Sequence, residues 1–167
     1  FKIPSRGLIG FRSQFLTDTN GAGIMNKLFD GYAPWFGPIP QRSAGAIVAD
    51  RQGRVTTYAC HGMVDRGILQ IEVGAEVYAG QIIGERNRTE DLTVNITREK
   101  KLTNMRASTS DATVVLRPPR LLSLDQSIEF IAQDELVEIT PTSICLRKME
   151  LDANKRGAAR KKEKYDK

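Results

Sequence analysis

Apolar residues follow a helical spacing at the start of the chain. Three of them, at intervals of three and four residues, predict a first helix: Leu8, Phe11 and Phe15. Ser5 is a suitable N-cap, and Asn20 followed by Gly21 ends the helix because both tolerate the left-handed conformation. Residues 24–32 are then predicted as a strand. A helix followed by one strand is half of a split βαβ unit, which indicates that further chain precedes this sequence.

From residue 44 onward, short apolar or β-branched runs alternate with turn residues. The predicted strands are residues 44–49, 55–60, 68–73, 81–85, 92–96 and 113–116. Short strands at this close spacing are typical of a small barrel or a highly curved sheet.

The pattern becomes helical again at Ser123, where Gln126 completes a capping box. Three apolar residues are expected on the buried face of this helix: Leu124, Ile128 and Ile131. A final hairpin is predicted for residues 136–139 and 143–146. From residue 151 onward, alternating charges and alanines predict either a solvated helix or disorder.

The prolines at 34, 38 and 40 prevent a regular element and indicate a linker. The predicted division is the end of an α/β domain at 1–33, a linker at 34–42, a β-rich domain at 43–150 and a basic tail at 151–167. The fold class is therefore α+β, with a helix-plus-strand remnant followed by a barrel-like, β-rich domain that carries one or two helices.

Positive charge is concentrated at the end of the chain. From residue 147 onward there are nine cations and four anions, so the net charge of +5 lies entirely in this part. Such a tail suits RNA or another polyanion, although a solubilising end has the same composition. Secondary RNA contacts are predicted for Arg98, Arg147, Lys148, Lys155, Arg156, Arg160, Lys161 and Lys162.

Catalytic motifs are absent from the sequence. No G-x-x-x-x-G-K-[ST] loop, G-x-S-x-G elbow or H-E-x-x-H pair occurs. Cys60 and Cys145 match no metal or redox spacing, and we interpret both as buried reduced thiols. The single histidine, His61, has no ligand pattern beside it. We expect no catalysis, no metal, no small-molecule substrate and no membrane span in this chain.

Residues 99–109 form the most informative segment. They combine three cations with hydroxyl and amide side chains and only two large apolar residues, which favours a long exposed loop. Six residues there are suited to phosphate contacts: Lys100, Lys101, Thr103, Asn104, Arg106 and Ser108. A solvated loop that contacts nothing has the same composition.

Four motifs carry a family resemblance: PSRGLIGFR at 4–12, GAEVYAGQIIG at 74–84, KKLTNMRAS at 100–108 and DELVEITPTSI at 134–144. In this order they resemble the C-terminal part of the BipA/TypA translational GTPases, which are similar to elongation factor G. The resemblance implies that residues 1–33 end a ferredoxin-like domain of the domain V type. It also implies that GTP and Mg²⁺ bind in an N-terminal domain outside this chain.

The resemblance further implies a cytoplasmic partner, the ribosome. The segment that matches residues 100–108 is expected near the tRNA acceptor stem and ribosomal RNA of the A site. A third interpretation, an enzyme with an unrecognised site, would need convergent titratable groups, and the sequence offers one histidine and no strong pair. Two other interpretations stay open. The chain is the ribosome- and RNA-binding region of such a GTPase, or it is a protein-interaction or structural module that packs on the rest of its parent.

Overall fold

The computed structural model describes residues 1–35, 37, 42–100 and 116–165. The helices are α1 (Phe11–Asp18), α2 (Thr57–His61), α3 (Leu124–Phe130) and α4 (Ala153–Tyr165). The strands are β1 (Ala46–Ala49), β2 (Gly53–Arg54), β3 (Gly67–Leu69), β4 (Glu76–Val77), β5 (Gln81–Arg86), β6 (Leu92–Val94), β7 (Glu135–Ile139) and β8 (Ile144–Lys148). The predicted α+β class is confirmed in this coarse form.

The first helix begins later than the sequence predicted. Residues Ser5–Leu8 form a 3₁₀ turn, and α1 starts only after Gly10, whose φ of 89° breaks the helical path. Ser5 is therefore the first residue of the 3₁₀ turn, and the N-cap of α1 is Gly10. The predicted end is confirmed, because Asn20 and Gly21 have φ values of 51° and 79° and the Gly21 N–H donates to the carbonyl of Leu16.

The predicted strand at residues 24–32 does not form. No helix or strand occurs between residues 22 and 35, and Ile24, Leu28 and Tyr32 are exposed. A strand needs a neighbour to accept its backbone hydrogen bonds, and no described strand lies beside this segment. Helix-plus-strand was therefore wrong for this part, and only its helix is present.

A six-stranded mixed sheet forms the centre of the molecule, in the order β6-β1-β5-β8-β7, with β3 also paired to β5. The barrel-like part of the prediction was wrong, since β6 and β7 end the path unpaired with each other among the described residues. The sheet branches at β5, because β1 pairs with one edge of β5 while β8 and β3 share its other edge. Ile82 on that edge faces Leu146 of β8, whereas Gly84 faces Leu69 of β3, so two strands share one edge.

Both faces of the sheet are covered. Ile47 and Ala49 of β1 pack on one side, with Val55, Ala59 and Cys60. The intervening residues of β1 pack on the other side, in a cluster with α3 and β8 that contains Ala46, Val48, Ile82, Phe130 and Leu146. All four β1 residues are at most 1% exposed. A continuous apolar run is the expected sequence of a strand that is buried on both faces.

Residues 55–60 were predicted as a strand but contain most of α2 instead. The Thr56 hydroxyl accepts a hydrogen bond from the Ala59 N–H at 3.2 Å and so caps the helix. Ala59 and Cys60 enter the core, while Tyr58 and His61 are exposed. The β-branched residues at 55–57 favour a strand by composition, but Thr56 acts here as a helix cap.

The capping box of α3 is confirmed. The Ser123 hydroxyl accepts from the Gln126 N–H, and the Gln126 side chain accepts from the Ser123 N–H. The buried face differs in part from the prediction. Ser127 and Phe130 are buried and the partly buried Ile131 packs against the core, whereas Leu124 and Ile128 are 39% and 42% exposed. The hairpin of β7 and β8 is confirmed, with Ile139 opposite Ile144.

Candidate nucleic-acid interface

The predicted phosphate-contacting segment is only partly described. Lys100 is exposed at its start, and the chain is described again from Leu116. The other five predicted contacts lie outside the described residues: Lys101, Thr103, Asn104, Arg106 and Ser108. The structure describes the two ends of this segment, residues 95–100 and 116–120, which together form the base from which the segment leaves the domain.

The outgoing side of this base is anchored in the core. Ile96 is 1% exposed and belongs to the cluster below the sheet. The Asn95 side-chain oxygen accepts from the Thr97 N–H at 3.1 Å and from the Thr97 hydroxyl at 2.9 Å. This Asx turn directs the chain outward, so Arg98 and Lys100 are exposed.

Helix α2 supports the same base. The Thr56 N–H donates to the carbonyl of Ile96 at 3.1 Å, and the Thr56 hydroxyl donates to the carbonyl of Arg98 at 2.5 Å. The guanidinium carbon of Arg98 lies 5.7 Å from the ring centroid of Tyr58. One threonine therefore joins the helix cap to the start of residues 99–109, the basic segment.

The returning side of the base carries two further cations, Arg117 and Arg120, which were not among the predicted contacts. Both are exposed, and the N–H of Arg120 donates to the carbonyl of Leu69 at 2.9 Å. Leu116 packs against the core, and an open groove of about 560 Å³ lies beside it. In the sequence, these arginines could have been identified as candidate contacts by their position on either side of Pro118 and Pro119, directly after the segment.

The predicted secondary contacts near the end of the chain differ in their surroundings. Lys155 is exposed on α4, and residues 160–162 belong to the same helix. Arg156 and Arg147 instead contact other groups of the same chain. Arg156 donates to the carbonyls of Glu150 and Leu151 at 2.8 and 2.7 Å, and Arg147 lies 3.9 Å from the Glu138 carboxylate.

Lys148 does not fit a role in RNA binding. Its side chain is 2% exposed, and its Nζ lies 2.6 Å from Asp91, 2.9 Å from Asp134 and 2.8 Å from Glu135. A buried ammonium that is surrounded by three carboxylates cannot reach a phosphate without breaking this cluster. The sequence could not show this, because the carboxylates come from two separate parts of the chain.

Arg42 completes the buried charge cluster. It donates to the same Glu135 oxygen at 2.8 Å, and its guanidinium lies 4.1 Å above the ring of Phe130. A further hydrogen bond reaches the carbonyl of Ala44 at 2.6 Å. The cluster ties the end of the predicted linker to α3 and β7.

Burial and hydrogen bonding oppose each other in the pKa values of this cluster. Burial would raise the pKa of Asp91, but hydrogen bonds from Lys148 and from the Ala46 N–H lower it below the ordinary value. Burial would lower the pKa of Lys148, but its carboxylate partners raise it. Both groups are therefore held in their charged forms.

Two cysteines and one histidine are the other candidate reactive side chains of the sequence. Cys60 is buried in α2, and burial raises the pKa of its thiol, whereas Cys145 is half-buried in β8. His61 is exposed. In the described ranges, no three His, Cys, Asp or Glu side chains are placed to hold a metal ion, and no helix is long and apolar enough to span a membrane.

Two family models match this chain. The TypA/BipA C-terminal domain matches residues 44–153, and the elongation factor G C-terminus matches residues 1–43. Curated relatives called "Large ribosomal subunit assembly factor BipA" are similar over nearly the whole chain. The Salmonella typhimurium protein is 50% identical over 99% of the chain, and the Bacillus subtilis protein is 45% identical over 98%. The chain spans 28% and 27% of the lengths of these two relatives.

Proposed function

This chain belongs to the TypA/BipA family, and from that premise we propose that it is the ribosome-binding, RNA-contacting region of a translational GTPase in the cytoplasm. Its relatives carry the name of a large ribosomal subunit assembly factor, which supports the ribosome as partner. GTP and Mg²⁺ belong, in this proposal, to a separate domain of the parent, and this chain supplies binding rather than catalysis.

One observation carries the proposal. The folded base presents Arg98 and Lys100 on the outgoing side of the basic segment and Arg117 on its returning side, all three exposed. Cations that flank a segment rich in hydroxyl and amide donors form a surface that can contact successive phosphates. Ribosomal RNA and the acceptor stem of an A-site tRNA are the proposed ligands.

The phosphate contacts are assigned to residues 100–108. Lys100, Lys101 and Arg106 supply charge, and Thr103, Asn104 and Ser108 supply neutral donors. Arg106 carries the greatest weight, since a guanidinium grips a phosphate with two parallel hydrogen bonds whereas an ammonium acts as a point charge. A surface arginine outside these segments provides a matched control, and the exposed Arg51 serves this purpose.

The test compares full-length variants in sedimentation with large ribosomal subunits at several salt concentrations. Replacing Lys100, Lys101 and Arg106 by Ala should weaken binding and reduce the salt slope by about one unit for each lost phosphate contact. Arg106→Lys should recover only part of the affinity, and Arg51→Ala should change neither quantity. Unchanged binding and slope in the triple variant would refute the phosphate-contacting role.

A structural module is the second candidate. Apolar side chains of the N-terminal part are strongly exposed, with Ile24 at 86%, Leu28 at 94% and Phe29 at 78%. Such a surface suits packing against another part of the parent protein. Under this alternative the triple variant would bind ribosomes normally, and association would depend weakly on salt because apolar contacts release no counterions.

A further inference from the structure

An exposed aromatic residue stands at the base of the basic segment without a role in the core. Tyr58 is 44% exposed, although its neighbours Ala59 and Cys60 on α2 are buried. The helix is thus anchored by small residues, and the tyrosine ring is directed away from the core. The other exposed residues of this helix, Thr57 and His61, are polar.

Hydrogen bonds hold together the two backbone segments that carry Tyr58 and Arg98. Thr56 caps α2 and also holds the backbone of Ile96 and Arg98. The Arg98 guanidinium carbon therefore lies 5.7 Å from the Tyr58 ring, within the range of a cation–π contact. Thr56 thus joins α2 to the start of the basic segment at the place where the Arg98 guanidinium lies near the Tyr58 ring.

We infer that Tyr58, with Arg98 beside it, is a stacking platform for an unpaired RNA base. The inference rests on the proposed function and adds a contact to a nucleobase rather than to a phosphate. An aromatic ring stacks on any base, because every base has a π face, and an arginine beside it adds cation–π attraction and charge. In double-stranded RNA these base faces are covered by their neighbours, so the platform selects single-stranded RNA.

The surroundings favour RNA over a protein partner. A protein-docking surface would require a continuous apolar patch around the ring. Beside Tyr58 are instead the polar Thr57 and His61 of the same helix and the cation Arg98, and Lys100 follows two residues further along the chain. A base can stack here while its own phosphates meet the positive charges.

The experiment uses the full-length protein and a 12-nucleotide single-stranded RNA that contains one 2-aminopurine. Tyr58→Leu keeps an apolar side chain but removes the ring, so affinity should fall about fivefold or more and quenching of 2-aminopurine fluorescence should be lost. Tyr58→Phe should keep both. Tyr32→Leu, a change at an aromatic residue that is 100% exposed elsewhere, should have no effect.

Salt dependence separates stacking from charge. Tyr58→Leu should weaken binding equally at all salt concentrations, whereas Arg98→Gln should also lower the salt slope by about one unit. Fully paired RNA of the same length should bind all Tyr58 variants alike. Wild-type affinity and quenching in Tyr58→Leu would overturn the inference, as would a Tyr58→Phe variant that is as weak as Tyr58→Leu.

The two proposals fail in different ways. If the Lys100, Lys101 and Arg106 variant binds ribosomal subunits normally while Tyr58→Leu still loses quenching, the phosphate-contacting role falls and the platform stands. If the triple variant loses binding while Tyr58→Leu is unchanged, the platform falls alone. Circular dichroism of Tyr58→Leu should match the wild type, because the core residues of α2 are unaltered.

Discussion

Lys148 illustrates how burial changes the role of a charged residue. The same ammonium that would contact phosphate on a surface is here enclosed by Asp91, Asp134 and Glu135. The attraction of opposite charges offsets the loss of hydration only while all partners remain in place. The charge therefore holds distant parts of the chain together.

Replacing Lys148 by Met should destabilise the protein strongly. The variant leaves three carboxylates with Arg42 as the nearby cation, so we expect a loss of about 3–5 kcal/mol in the free energy of unfolding. Urea unfolding measures this loss. Lys155→Met, at an exposed lysine, should stay within about 0.5 kcal/mol of the wild type. Equal stability of the two variants would contradict the structural role of Lys148.

Asp91 should make the cluster sensitive to acid. Its pKa is lower in the folded protein than the ordinary value of 3.8, so its contribution to stability is present above that value and is lost as the pH falls through the lower, folded pKa. The difference in free energy of unfolding between wild type and Asp91→Asn should be constant from about pH 5 to 7 and shrink below about pH 4. A difference that grows in acid would have the wrong sign.

At the scale of elements, close backbone approach decides where β3 can lie. A side chain at Gly67 would collide with the carbonyl oxygen of Glu85 and lie 2.9 Å from the Cδ1 of Ile47. Only glycine therefore lets β3 pair with β5 in the observed register, in which Gly67 lies opposite Arg86.

Gly67→Ala should consequently cost about 1–3 kcal/mol in the free energy of unfolding, because the neighbouring backbone cannot move aside. Gly157→Ala in α4 is the matched control. No described atom outside the helix's own backbone lies within 4 Å of that position, so alanine should stabilise the helix by about 1 kcal/mol. Thermal unfolding and helical circular dichroism report the two effects. A neutral Gly67→Ala would show that β3 can shift.

At the scale of the whole chain, the proposed RNA contacts fall in two stretches of sequence, residues 98–108 and residues 147–162. Deleting residues 152–167 removes more net positive charge than the Lys100, Lys101 and Arg106 variant does. The deletion should therefore lower nonspecific RNA affinity, which follows charge, and leave GTP-dependent ribosome binding of the full-length protein largely intact. Filter binding with random RNA and sedimentation with ribosomes measure these separately. If only the deletion abolishes ribosome binding, function belongs to the tail.

The sequence by itself determined the features that depend on neighbouring residues. The capping box of Ser123, the left-handed end of α1 at Asn20 and Gly21, and the β7–β8 hairpin all follow from local backbone chemistry. The family followed from motifs of several residues in order. The strands predicted at 44–49, 81–85 and 92–96 overlap observed ones, because apolar runs of that length suit buried strands.

Tertiary structure alone decided which residues meet. Residues 24–32 have a strand-like composition, but no described strand pairs with them, and Lys148 lies in a basic stretch but is buried. The place of Tyr58 beside Arg98 arises from contacts between residues about 40 positions apart, because the Thr56 hydroxyl that caps α2 locally also donates to the carbonyl of Arg98. Local pattern fixes what each residue prefers, whereas the free energy of burial and pairing depends on partners that only the folded chain brings into contact.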